Sequence, residues 1–138
     1  MKRLLYLCVV SCLIMAPYKV LASDYDGNKP LLCAVIDAME CTVSEGCQKT
    51  TVDIMGIPQF VNIDFKNNKI SAAGANADPR SAAIKNSQRQ EGKLIMQGTS
   101  ENGRGWSVII AEDTGKMSAA VTDDQIGFIL FGACTTIQ

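Results

Sequence analysis

Residues 106–134 constrain the fold more than any other stretch of the sequence. Trp106-Ser107-Val108-Ile109-Ile110-Ala111-Glu112 leads into Asp113-Thr114-Gly115-Lys116. Met117 to Thr122 leads into Asp123-Asp124-Gln125, and Ile126 to Cys134 completes the series. Apolar, strand-favouring runs separated by short polar turns predict an antiparallel meander. Side chains alternate across a strand, so Trp106, Val108 and Ile110 share one face, as do Met117, Ala119 and Val121. Gly115 is the residue to supply a positive φ in the first turn. In the final run Ile126, Phe128 and Leu130 lie on one face, and Ile129 and Phe131 on the other. A strand apolar on both faces is expected to be central in its sheet or covered on its outer side.

The preceding chain is less regular. Leu31 to Cys41 fits a helical face (Leu31, Leu32, Val35, Ile36, Met39) behind Pro30, or a strand with Leu31, Cys33, Val35 and Met39 on one face and Asp37 among them. Cysteines at both ends favour the strand, and Thr42 to Lys49 then reads as a polar loop. Thr51 to Gly56 is expected to form a helical turn that stops at the glycine. Gln59–Phe65 and Ile70–Ala73 flank the turn Lys66-Asn67-Asn68-Lys69 and predict a hairpin, because Asn tolerates left-handed backbone angles. Gly74 to Pro79 reads as a loop. Asp78 and Pro79 are suited to start a helix, but only Ala82, Ala83 and Ile84 follow as apolar residues. Residues 80–90 are therefore expected to form a partly exposed strand ending at Glu91-Gly92. Lys93 to Gln97 is a further strand, and Gly98 to Gly105 a glycine-rich loop. About eight strands with neighbouring connections predict an all-β domain, an antiparallel up-and-down barrel, with a two-sheet β-sandwich as the alternative.

Residues 1–22 have the layout of a signal peptide: basic Lys2 and Arg3, an apolar Leu4–Ala16 run, and Val20-Leu21-Ala22 before the cut. That run is too short to span a bilayer, which takes about 20 residues. A single β-domain, 23–138, is expected to remain, in the periplasm or secreted, without a transmembrane segment. A second processing route would place a lipid anchor on Cys12, behind Val9-Val10-Ser11. Cleavage lowers the basic residues from 13 to 10 and leaves all 14 acidic residues, a net charge near −4, which argues against nucleic acid as a partner. Of six cysteines, Cys33, Cys41, Cys47 and Cys134 survive. An even number in a small exported chain points to disulfides, with three pairings open. A local Cys41–Cys47 staple would leave Cys33 with Cys134, joining the first strand to the last. The wide spacing fits a zinc site poorly, so no metal is expected.

The chain has no histidine, which removes Ser-His-Asp and Cys-His catalysis and every His-ligated metal. Gly98, Gly103 and Gly105 do not have phosphate-loop spacing. The adjacent acids Glu112-Asp113 and Asp123-Asp124 sit at turns and read as solvated turn formers. Asp37 and Asp64, if inward, would need Arg80, Arg89 or Arg104 as partners. Lys85, Arg89 and Lys93 make a mild basic strip that reads as a solvated face. No catalytic residue and no cofactor is expected. Trp106, the only tryptophan, either plugs the core or stacks on a ligand, with Arg104 as polar anchor. The expected function is that of a non-enzymatic periplasmic binding barrel whose ligand is unknown, either a small apolar molecule or an envelope protein. The alternative is an envelope-associated interaction or inhibitor protein acting through the Cys41–Cys47 or Gly98–Gly105 loops. A third possibility, a hydrolase built on paired carboxylates, requires two inward acids within about 5–10 Å.

At Leu32-Cys33-Ala34, the Cys41–Cys47 loop, Ile57-Pro58-Gln59-Phe60 and Phe131-Gly132-Ala133-Cys134 the chain resembles a family of small exported (periplasmic) β-proteins of Gram-negative bacteria whose function is uncharacterised. The resemblance implies a periplasmic β-domain and no known active site. In architecture alone the pattern is similar to small-barrel lysozyme inhibitors and to lipocalin-like binders. It has neither the Ser-Gly-rich blocking loop of the former nor the N-terminal Gly-x-Trp signature of the latter.

Overall fold

The computed structural model describes residues 24–74 and 80–137. The signal-peptide reading of residues 1–22, the lipidation alternative at Cys12 and the Asp78–Pro79 helix start lie outside these described residues. In chain order the elements are β1 (Leu31–Thr42), β2 (Gly46–Thr50), a short helix α1 (Val52–Met55), β3 (Phe60–Asp64), β4 (Lys69–Ala72), β5 (Ser81–Gln90), β6 (Lys93–Ser100), β7 (Gly105–Ala111), β8 (Lys116–Thr122) and β9 (Ile126–Thr136). Each strand from β3 to β8 pairs antiparallel with its successor, and β1 pairs with both β3 and β9. The sheet therefore closes into an eight-stranded barrel, and β2 is a ninth strand outside the ring. Closure removes the free edges that a sandwich would retain.

β1 is the strand on which closure turns. Its first part, Leu31–Ala34, pairs with β3 on one side and β9 on the other; its second part, Ala38–Thr42, exchanges β3 for β2. The ladder to β9 slips between Val35 and Asp37, so Ile36 is the extra residue of a β-bulge and is 72% exposed. A bulge shifts the alternation by one residue. Leu31, Cys33 and Val35 face the core, and beyond the bulge Ala38 does so. The strand assignment of residues 31–41 is thus correct, but the face expected for Asp37 and Met39 is not, since Asp37 pairs on the surface with Lys49. The expected polar loop of residues 42–49 is also corrected: its second half is β2, with Cys41 directly opposite Cys47.

Both disulfides join residues that face each other across a ladder. Cys33–Cys134 bridges β1 and β9 at an S–S distance of 2.09 Å, and Cys41–Cys47 bridges β1 and β2 at 2.05 Å. Of the three possible pairings, the one that staples the barrel seam is realised. The final strand lies between β8 and β1, central as its two apolar faces require. Its outer face is not covered among the described residues, and Phe131 is 48% exposed.

Turn chemistry follows the local sequence. Asn68 has a φ of 50° in the β3–β4 turn, Gly115 a φ of 68° in the β7–β8 turn, and Gly56 ends α1 in the left-handed region. The inward side chains of the barrel, among them Leu31, Ile63, Leu94, Met96 and Ile110, form one continuous core. At the end of the barrel that holds the β3–β4, β5–β6 and β7–β8 turns, the segment preceding β1 joins this core. Tyr25 and Phe65 pack against it, and Gly27 lies over Leu94 and Phe65. A Cβ on Gly115 would come within 2.7 Å of the Tyr25 ring and of the Cys134 carbonyl, so only glycine admits the ring there. A two-pronged ion pair, Arg89 Nε to Glu112 Oε1 at 2.6 Å and Nη2 to Oε2 at 2.8 Å, joins the ends of β5 and β7 beside it. That pairing holds the Glu112 carboxyl below its usual range.

Candidate functional site: an apolar cavity at the opposite end

At the other end the core stops short and leaves a cavity of about 500 Å³. Inward positions that carry bulk near the lead-in segment are small here: Ala72 on β4, Ala82 on β5, Ala119 on β8. Val35, Ile63, Val108, Met117, Val121 and Leu130 complete the apolar wall. The mouth is formed by Gly56–Pro58, Arg80 and the β6–β7 connection.

Two interactions hold the mouth in shape. Arg80 donates from Nη2 to the Gly56 carbonyl at 3.0 Å, which ties the end of α1 to the start of β5. Ile57 and Pro58 are thereby kept on the cavity rim. Arg104 donates from Nε to Asp123 Oδ2 at 2.9 Å, and its guanidinium lies 5.3 Å from the centroid of the Phe128 ring. Asp123 also accepts from the backbone N–H groups of Gln125 and Ile126, at 2.9 and 3.0 Å. Those backbone donors first, and Arg104 after them, keep its carboxyl below the usual range. Arg104 is therefore a rim residue engaged in bracing the β8–β9 turn, in addition to bordering the cavity.

Trp106 opens the inward face of β7 and is 8% exposed. It borders the cavity and belongs to the core at once. Its cross-strand partner is Gly98. A Cβ at that position would lie 2.4 Å from indole Cζ2 and 2.2 Å from the Ala83 carbonyl. The strand β6 thus continues through Gly98 to Ser100, where a loop is expected from the sequence, because the glycine makes room for the indole. The packing of Gly98 under the indole is the signal that sequence reading missed. Gly98 and Trp106 sit symmetrically about the β6–β7 turn, a position from which a glycine–tryptophan pair can be read. The indole Nε1–H is buried and has no hydrogen-bond acceptor among the described residues.

The carboxylates go elsewhere. Among the described residues no charged side chain is buried. Asp64 caps its own turn through Asn67, at 3.0 Å to the backbone N–H and 2.7 Å to Nδ2. Glu112 is held by Arg89, and Glu101 is the acid on the cavity rim. The adjacent acids of the two turns therefore do not converge inside the barrel. The Cys41–Cys47 segment is a hairpin that does not line the cavity. Among the described residues, no cluster of three or more potential metal ligands occurs, and no helix is long and apolar enough to cross a membrane. In comparisons with protein-family models, curated proteins and solved structures, nothing was found that matches this chain.

Proposed function

We propose that this protein is a non-enzymatic binding protein that holds a small apolar ligand inside the barrel, in the periplasm or outside the cell. The observation that carries the reading is the cavity of about 500 Å³, apolar in its walls and polar at its mouth. Its size falls within the ~300–1,000 Å³ usual for ligand pockets, and a largely apolar lining with a few polar groups is their usual chemistry. Two disulfides support an oxidising compartment. The test is titration with the apolar dye N-phenyl-1-naphthylamine. Saturable, one-to-one enhancement of its emission, abolished when Ala119→Leu fills the cavity, is the expected result. Absence of saturable binding overturns the reading. Mass spectrometry of the exported protein decides between a chain starting at Ser23 and a lipidated Cys12.

One observation favours a protein partner as a second reading. Ile36, Ile109 and Phe131 expose apolar surface in one groove on the outer face of the barrel, bordered by Lys93, Lys116 and an Asp37 already paired with Lys49. Lysines at the groove edge favour a partner with acidic flanks over a second copy of this chain. In this reading Phe131→Glu abolishes complex formation in periplasmic extract and leaves dye binding intact. Retention of the complex by that variant would remove the outer face from consideration.

A further inference from the structure

The state of Trp106 carries information about what enters the cavity, given the reading above that the cavity is a ligand site. An indole N–H is a donor and cannot accept. Here it is buried and has no acceptor among the described residues, and the ring that carries it borders an apolar space. A donor left unpaired in apolar surroundings is costly, so a ligand that brings an acceptor gains over one that does not. The two arginines of the mouth are already engaged, Arg104 by Asp123 and the Phe128 ring, Arg80 by the Gly56 carbonyl. An entering carboxylate would have to compete with Asp123 for its counter-charge. An entering ammonium would meet walls that contain no acid, Glu101 standing only at the rim. A pure hydrocarbon would fill the space and leave the N–H unpaired.

We infer that the cavity selects a neutral ligand with an apolar body and a hydrogen-bond acceptor, of the ketone, ester or amide class, and that Trp106 Nε1–H donates to that oxygen. Nε1 is itself screened from the cavity, the adjoining ring edge lying over Gly98, so donation to the ligand requires the indole to turn about its side-chain bonds. Trp106 is then a specificity-determining residue: the apolar walls supply affinity for the body, and the indole supplies preference for the acceptor.

The experiment uses the exported, disulfide-bonded chain and four probes of similar length: decane, 2-undecanone, decanoate and decylamine, each displacing N-phenyl-1-naphthylamine. The expected result is that 2-undecanone binds at least tenfold more tightly than decane, with decanoate and decylamine weaker than the ketone. Trp106→Phe keeps an aromatic ring and removes the donor. It should bring the ketone-to-decane ratio close to one, whatever the change in decane affinity itself. A second measurement does not depend on that variant folding. Trp106 is the only tryptophan, so the ¹⁵N-labelled protein has a single indole N–H resonance. It should move downfield on addition of 2-undecanone and much less with decane. Equal affinity for ketone and decane, or an indole resonance that responds to both alike, overturns the inference while the binding reading stands. Tightest binding by decanoate overturns it in favour of the arginine rim. Failure of every probe to displace the dye, or of the dye to bind, overturns the binding reading and the inference with it.

Discussion

The two ends of the barrel are built from the same eight strands and end differently. At one end the lead-in segment crosses the opening, and Tyr25 and Phe65 complete a core already filled by Leu31, Leu94 and Ile110. At the other, Ala82, Ala119 and neighbouring small residues leave the interior empty, and the largest side chain, Trp106, is drawn to the wall by the space over Gly98. Strand number and tilt set the width of a barrel, and in an eight-stranded one the interior is either filled by side chains or just wide enough for one small ligand. Here both outcomes occur in one molecule. The difference lies in residue size at equivalent inward positions, together with a stretch of chain that, among the described residues, covers one opening and not the other.

Each end also has its own disulfide, and removing them gives the largest contrast. Cys33 and Cys134 are 101 residues apart, whereas Cys41 and Cys47 are 6 apart. On the chain-entropy account, replacing the first pair by serine costs about 4–5 kcal/mol and the second about 2 kcal/mol. Guanidinium unfolding of the two double variants measures both, and equal losses would break the link between seam closure and stability. Next in size is Leu94→Ala in the filled end, expected to lose about 3 kcal/mol by leaving a void, with dye affinity unchanged. Gly98→Ala in the open end forces the indole or the Ala83 peptide to move and is expected to cost about 2 kcal/mol. It should also shift the tryptophan emission, which Leu94→Ala should not. Smaller still is Ala119→Leu, which fills existing space. Its stability should stay within about 1 kcal/mol of the parent while dye binding is lost, the reverse of Leu94→Ala.

The smallest effect is acid dependence, to which both ends contribute. Glu112 at the filled end is held below its usual range by Arg89, and Asp123 at the open end by backbone N–H groups and Arg104. A carboxyl depressed in the folded state makes the unfolded state the better proton binder. Its contribution to stability is therefore complete above the unfolded value of about 4 and is lost as pH falls through the lower folded values. With no histidine in the chain, the thermal midpoint should be nearly flat from about pH 5 to 8 and decline below about pH 4. A midpoint that changes steeply near pH 6 would contradict this. Glu112→Gln should flatten the acid limb only slightly, since its partner Arg89 is largely exposed.

The legible parts of the fold are those fixed by local chemistry. The alternating runs of β7 to β9, the Gly115 turn and the helical turn ending at Gly56 each follow from a few adjacent residues. So does the strand character of residues 81–90, whose lack of an apolar helical face is evident from composition. The bulge at Ile36 has no such local cause. It arises where β1 changes neighbours from β3 to β2 while remaining paired to β9, a condition imposed by closure. Gly98 is misleading for a related reason. Three glycines between residues 98 and 105 look like a loop, yet the first is in a strand because an indole occupies the space a Cβ would need. The site was half legible. Trp106 and Arg104 do border the cavity, but the emptiness beside them depends on Ala82 and Ala119, which are unremarkable as sequence and matter only when eight strands bring them together.

The bridge across the seam has a consequence for the covalent shape of the molecule. Everything from β2 to β8 lies within the loop that Cys33 and Cys134 close, so for those strands the polypeptide is a ring. A protease that cuts the exposed turn at Asp113 and Thr114 would open the ring without producing two molecules. The nicked halves would remain joined, and their reassociation would stay independent of concentration. The start of β1 and the end of β9 lie side by side as well, with the Ile137 N–H donating to the Pro30 carbonyl at 3.0 Å. New termini placed in that same turn, with residues 24 and 137 joined by a linker, would leave every barrel strand pair intact.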